Sequence, residues 1–288
     1  MRDEGYNIVI DELKLCYVTS EENLRLLKET EVGRSITLCG YRMHRIPNDR
    51  FEYFFEVSAR GKNVAQLRFG FYTDKDDGYP YVYLKVLNKT LYNPAEFQKI
   101  LQMPDTLGLV FNNFTAIDLA LDMPLNIPSV IKKMMRSKDT TTIINGKAVK
   151  DRKRILEGVC FEYSTSLDRL NNPSVTVKQK KAIHNKNCGI TVQAYNKKAE
   201  IENLESEKQY ILDFYGNPKR LYRLEVRLRY QEIKDYLLMK RTEGIPDLLF
   251  DQGVLEEMFF YHLASVIRFT KGRTRISWDA LLKCNGRV

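Results

Sequence analysis

Alternation with a period of two runs through much of the chain. Residues 7–17 open the chain as a candidate strand. Residues 51–57 (FEYFFEV), 65–72 (AQLRFGFY) and 81–87 (YVYLKVL) are aromatic-rich runs separated by Gly- and Asp-bearing turns such as TDKDDGYP, and this predicts an antiparallel meander. In FTAIDLALDMP, Ile117, Leu119 and Leu121 fall on one side of a strand, and Asp118, Ala120 and Asp122 on the other. Residues 222–230 repeat the pattern, with Tyr222, Leu224, Val226, Leu228 and Tyr230 on one face and Arg223, Glu225, Arg227 and Arg229 on the other. Residues 159–163 and 190–195 read as further strands.

Helices fall between these strands. Thr19-Ser20-Glu21-Glu22 reads as a helix start. Asn93 is placed to cap a helix with Pro94 at its first position, running to about Met103. A helix over 128–136 follows, then a polar, basic loop or hairpin over 137–154. A long charged helix is expected from Lys197 to about Phe214, and helices with a basic tail from about Gln231 onward. The order predicts an α+β protein with an antiparallel β-sheet flanked by helices.

Composition narrows the partners. There are 288 residues with a net charge of +9, from 46 Lys and Arg against 37 Asp and Glu, which favours an anionic partner. The excess is clustered: residues 132–154 hold nine cations against two Asp, 178–200 six Lys against one Glu, and 268–288 six cations against one Asp. Such clusters suit phosphate backbones, although any one of them also reads as a solvated face. None carries the apolar stripe of a membrane-surface helix. No apolar run approaches the 18 residues of a membrane span, and the first residues (MRDEGYNIVIDEL) lack a signal-peptide core, so a cytoplasmic protein is expected. Five cysteines without a CxxC pair argue for reduced thiols rather than disulfides or a zinc ribbon. His44, His184 and His262 form no HxH or HExxH, and no GxxxxGK[ST], GxGxxG or GxSxG occurs, so histidine-based metal chemistry, NTP hydrolysis and dinucleotide binding have no support.

The acidic and arginine-bearing strands are the candidate chemistry. Asp118 and Asp122 share a strand face, which is costly unless they are solvated, paired with arginine or bound to a hard cation such as Mg²⁺ or Mn²⁺. Were the two strands neighbours, Glu225 would join that cation while Arg223, Arg227 and Arg229 held phosphates. The same spacing also fits a cross-strand salt-bridge ladder on an exposed sheet face. Tyr195, in QAYNKKAE, ends a strand, and its phenol (pKa about 10) would need a cation such as Lys197 or Lys198 to act as a nucleophile. Glu200 is a further candidate metal ligand or base.

Four stretches, in order, resemble a known family. NIVIDELKLCYV, TAIDLALDMP, VQAYNKKAE and YRLEVRLR are similar to the iDwLtltf-, RiDlalD-, riYdKxxE- and RlElrlr-like elements of the Rep_trans replication initiation factors. That family takes in rolling-circle plasmid initiators, relaxases of integrative elements and replication proteins of some filamentous phages. The resemblance covers about residues 7–240. It implies a relative of the HUH endonuclease (Rep/relaxase) fold in which carboxylates replace the metal-binding histidines. It also implies a catalytic DNA-nicking domain over 1–240, followed by a helical basic C-terminal segment over 241–288. By motif, Asp118, Asp122, Glu225 and Glu200 would hold Mg²⁺ or Mn²⁺, and Tyr195, Lys197, Arg223 and Arg227 would be catalytic. Where the family carries a GSRxSD-like stretch this chain reads KAIHNKNCGITV, and Tyr163 stands as the second candidate nucleophile. The expected function is rolling-circle initiation or relaxase action through a 5′-phosphotyrosine. The expected partners are partly single-stranded origin DNA, a host helicase and a second copy of the chain. The alternative is a non-catalytic, sequence-specific DNA-binding protein, such as a repressor or a degenerate initiator.

Overall fold

The computed structural model describes residues 6–70, 72–74, 78–149, 174–179, 189–203 and 207–286. The expected strand at 159–163, with Tyr163, lies outside them. The chain is α+β, with a large antiparallel sheet flanked by helices. It divides into two compact units: the first is Met1–Val9, Asp118–Glu232 and Leu248–Val288, and the second is Ile10–Ile117 and Ile233–Asp247.

The second unit is built on the aromatic meander. Its strands are β1 (Ile8–Val18, which begins in the first unit), β2 (Ser35–Leu38), β3 (Tyr41–Arg45), β4 (Tyr53–Ala59), β5 (Lys62–Phe69), β6 (Tyr81–Val86) and the first part of β7 (Val110–Met123). Their order is β7-β1-β6-β5-β4-β3-β2. Register turns alternation into layers. Leu15 pairs with Leu84, Leu84 with Leu67, and Leu67 with Phe55, so one apolar row crosses four strands; the neighbouring row is Leu13, Val86, Ala65, Val57 and Met43. All nine are buried. The intervening rows carry Lys14, Lys85, Gln66 and Glu56, as an antiparallel sheet with one wetted face requires.

Helices cover the apolar side. Helix α1 (Glu21–Glu29) buries Leu24 and Leu27, and Ser20 caps it by accepting from the Asn23 N–H at 3.4 Å. The four-residue α2 (Asn88–Leu91) ties to β5 through Thr90 Oγ1, which donates to the Val64 carbonyl at 2.9 Å. Helix α3 (Pro94–Thr106) starts where Asn93 and Pro94 predict, and it buries Phe97, Ile100 and Met103.

The first unit holds the second half of β7 together with β10 (Val175–Lys178), β11 (Thr191–Asn196) and β12 (Tyr222–Arg229), in the order β10-β11-β12-β7. Helix α4 (Ile127–Arg136), capped by Asn126, buries Ile127, Val130, Ile131 and Met135. The loop or hairpin expected over 137–154 is a hairpin as far as it is described: β8 (Thr141–Ile144) turns through Asn145 (φ 50°) and Gly146 (φ 79°) into β9 (Lys147–Ala148). Two positive φ values make a type I′ turn, for which Asn-Gly is the preferred pair.

Two expectations are corrected. The helix expected from Lys197 to Phe214 is two short ones, α5 (Lys197–Asn203) and α6 (Gln209–Phe214). Asn203 Nδ2 donates to the Ala199 carbonyl at 2.6 Å in the last turn of α5. The C-terminal part is not wholly helical. Helices α7 (Tyr230–Lys240), α8 (Gln252–Val266) and α9 (Trp278–Gly286) form, but β13 (Ile267–Lys271) and β14 (Thr274–Ile276) make a hairpin between α8 and α9. β13 also pairs with β8, giving a separate four-stranded sheet, β14-β13-β8-β9. Ile267 and Phe269 alternate with Arg268 and Thr270, a strand pattern that the basic composition obscures. Trp278 fastens the inner side: Nε1 donates to the Ile267 carbonyl at 3.0 Å and the ring lies edge-on to Phe269.

Helix α8 is apolar on most sides and contributes Leu255, Met258, Phe259 and Leu263 to the core, with His262 buried among them. Desolvation pushes the His262 imidazole down from 6.5 to about 4. The folded state therefore binds fewer protons than the unfolded chain between those values, and stability must fall as pH drops through that window. Replacing His262 with Leu should remove that slope: the wild-type minus variant difference in urea-unfolding free energy should change by up to about 3 kcal/mol between pH 7 and pH 4.

Candidate active site

Three strands of the first unit carry the candidate site. β11 and β12 pair antiparallel, with Tyr195 opposite Arg223, Gln193 opposite Glu225 and Thr191 opposite Arg227. Because side chains alternate, Tyr195, Gln193, Arg223, Glu225 and Arg227 share one face. Leu224, Val226, Leu228, Val192 and Ala194 lie on the other and are fully buried. β7 stands beside β12 and supplies Asp118 and Asp122. The site residues read from the sequence therefore converge, but they sort into two groups.

The first group is a closed ion pair. Arg223 Nε and Nη2 donate to Asp122 Oδ1 and Oδ2 at 2.7 and 2.6 Å, and both side chains are 0% exposed. This fork-to-carboxylate pair satisfies both oxygens of Asp122. Away from water it suits neither a metal ion nor a substrate phosphate, so its weight is structural.

The second group is a chain of hydrogen bonds around Glu225. The Tyr195 hydroxyl donates to Glu225 Oε2 at 3.1 Å and lies 3.5 Å from Lys197 Nζ, which donates to it. Lys197 is itself buried, and its ammonium sits 2.8 Å from Glu200 Oε2. On the other side of Glu225, Oε1 accepts from Arg227 Nε at 2.5 Å. The same Nε is 3.6 Å from Asp118 Oδ2, and Arg227 Nη2 donates to Gln193 Oε1 at 3.1 Å. Arg229 Nη1 donates to Asp118 Oδ1 at 2.9 Å. Burial alone would lower the Arg227 pKa, but the charge and hydrogen bond of Glu225 and the charge of Asp118 hold it above the ordinary arginine value.

Exposure along β12 is uneven and greatest at Arg227. The side chain of Arg223 is 0% exposed, that of Arg229 20% and that of Arg227 39%. Tyr195 is 7% exposed. The salt-bridge ladder that the spacing allows is thus present, but on a largely buried face rather than an exposed one.

Among the described residues no three His, Cys, Asp or Glu side chains gather into a metal cluster. Two carboxylates nonetheless meet at one point, since Asp118 and Glu225 both approach Arg227 Nε. A pair of carboxylates fits Mg²⁺ or Mn²⁺, which keep several waters and take further oxygens from a phosphate. Asp118 and Glu225 would hold such an ion once the half-exposed Arg227 side chain moves aside. Asp122 is closed by Arg223, and Glu200 faces Lys197 rather than this point. Gln193 is the residue that sequence reasoning missed. Its signal was present in the alternation of β11, which sets it two positions from Tyr195 on the same face.

Comparison with protein-family models, with curated proteins and with solved structures gives no match.

The two groups predict different responses to substitution. Asp122→Ala leaves a buried guanidinium without its partner and should cost about 3–5 kcal/mol of stability. The double change Asp122→Leu with Arg223→Met should restore most of that stability. A urea-unfolding double-mutant cycle reads the coupling, and single-variant costs below about 1 kcal/mol would contradict the buried pairing.

Proposed function

We propose that the chain is a tyrosine-dependent DNA strand nicking and joining enzyme, related to the HUH endonucleases and acting in rolling-circle initiation or transfer in the cytoplasm. The observation that carries the reading is the position of the Tyr195 hydroxyl, between the Glu225 carboxylate at 3.1 Å and the Lys197 ammonium at 3.5 Å. A phenol needs an acceptor for its proton and a cation beside the resulting oxygen, and this arrangement supplies both.

In the proposed step the phenolic proton passes to Glu225 Oε2 as the Tyr195 oxygen bonds to the scissile phosphorus. The bond from phosphorus to the 3′ oxygen breaks, and that oxygen takes up a proton. The products are a 5′-phosphotyrosine and a free 3′-OH, from which a polymerase can extend. Lys197 steadies the developing phenolate, and Arg227 and Arg229, the two solvent-reaching arginines of β12, are placed to neutralise charge on the phosphoryl oxygens. Mg²⁺ or Mn²⁺ held by Asp118 and Glu225 would add polarisation of the phosphoryl group.

A second reading, a DNA-binding protein without catalysis, draws support from the burial of Tyr195 and the pairing of Asp118, Asp122 and Glu225 with arginines. One experiment separates the two. The protein is incubated with Mn²⁺ and a pool of 3′-labelled single strands drawn from the DNA around its own gene. The nicking reading expects label to become covalently attached to wild-type protein, none to attach to Tyr195→Phe, and attachment by Glu225→Gln to slow by about 10²–10⁴-fold. Salt-sensitive binding with no covalent label supports the second reading. Covalent label on Tyr195→Phe moves the nucleophile to another tyrosine, Tyr163 first.

A further inference from the structure

The first and third basic clusters of the sequence are more than a hundred residues apart, yet β8 pairs with β13 and sets them side by side in one small sheet. Residues 127–149 and 267–276 together carry nine Lys or Arg and a single acid, Asp139. The arginines of the candidate active site are all held by carboxylates. Here the reverse holds: among the described residues, Lys133, Arg136 and Lys147 on one segment, and Arg268, Lys271, Arg273 and Arg275 on the other, make no ion pair and no side-chain hydrogen bond. All but Arg268, which is half-buried, are exposed.

The registers show what the sheet presents. Arg275 pairs with Thr270 and Thr270 with Thr141; Arg268 pairs with Ile143 and Ile143 with Ala148. These two rows form the outer face, and the opposite rows, with Ile267, Phe269 and Ile276, turn toward Trp278 and the core. The outer rows hold Arg268, Arg275, Thr141, Thr270, Ile143 and Ala148, and no aromatic ring. The two-residue turn that Gly272 opens (φ 57°) lifts Lys271 and Arg273 to the tip.

We infer that the outer face of the β14-β13-β8-β9 sheet, with the Lys271–Arg273 tip, binds the phosphate backbone of duplex DNA independently of its sequence. Arg268 and Arg275 on the outer rows, with Lys271 and Arg273 at the tip, form a group of unpaired cations with no acid among them, and such a group is a phosphate surface, since each cation that meets a phosphate releases counterions and adds affinity without reading a base. Single strands are held largely by stacking on aromatic rings, and this face offers none, so the occupant is duplex. The inference shares with the proposed function the premise that the partner is DNA, and uses no residue of the tyrosine site.

The test measures binding of full-length protein to a fluorescent duplex of arbitrary sequence in EDTA, across a salt series, so that no strand cleavage intervenes. Arg268→Gln with Arg273→Gln and Arg275→Gln should weaken binding at least about tenfold near 0.1 M salt, and should flatten the log–log salt slope by about one for each phosphate that is no longer neutralised. Arg60→Gln with Lys62→Gln, a control in the second unit, should leave that slope unchanged. Melting temperatures of all variants report folding, and Arg275→Lys, which keeps the charge, should retain most of the affinity. Three results would overturn the inference: an unchanged slope in the triple variant, an equal weakening in the control, or tighter binding of a mixed-sequence single strand than of the duplex. Failure of the covalent-adduct experiment would leave it untouched.

Discussion

The buried fork between Arg223 and Asp122 is the constraint around which the first unit is organised. β12 presents arginines at 223, 227 and 229 on one face and leucine or valine at 224, 226 and 228 on the other. A slip of one residue against β7 would drive the guanidinia into the apolar layer, at a cost of many kcal/mol. The register in which Arg223 meets Asp122 and Arg229 meets Asp118 cancels the charges and keeps Leu224, Val226 and Leu228 dry at the same time. Charge pairing and hydrophobic packing select the same alignment, and such agreement between levels lets a strand with four charged residues lie inside a protein.

The difference in exposure between Arg223 and Arg227 divides the closed ion pair from the more open one. At Arg223 both partners are wholly buried, and neither can exchange its partner without leaving a bare charge behind. Farther along the strand Arg227 keeps part of its side chain in solvent, so releasing Glu225 and Asp118 costs less. Glu225, itself buried, connects Tyr195 with Arg227. A carboxylate that holds a phenol with one oxygen and an exchangeable cation with the other can change its charge environment without disturbing the fold.

Much of this was legible in local pattern, because local pattern follows local physics. Ser20, Asn93 and Pro94 mark helix starts through backbone N–H groups that need partners, and the alternation of β7 and β12 marks which side chains share a face. The partition of the site was not legible. Asp122 and Arg223 are 101 residues apart, and no local rule says whether an aspartate on a strand face meets a metal, water or an arginine. The β13–β14 hairpin was hidden for another reason: its four cations read as a basic tail, although Ile267, Phe269 and Gly272 carried the strand-and-turn signal. The reading of one long helix also overreached, since helices end at Asn203 and start again at Gln209.

Net charge hides where the field originates. Of the chain's 46 cations, those nearest the candidate chemistry are neutralised in place: Arg223 by Asp122, Arg227 by Glu225, Arg229 by Asp118 and Lys197 by Glu200. Such pairs contribute little at a distance, because opposite charges a few ångströms apart screen one another and salt removes the remainder within about 10 Å. The positive field of the first unit comes instead from cations held by no carboxylate, and among the described residues Arg268, Lys271, Arg273 and Arg275 gather such charge on one hairpin. The chain thus uses arginine in two ways, paired with carboxylates on the face that β12 shares with β7 and without a charged partner on the β13–β14 hairpin.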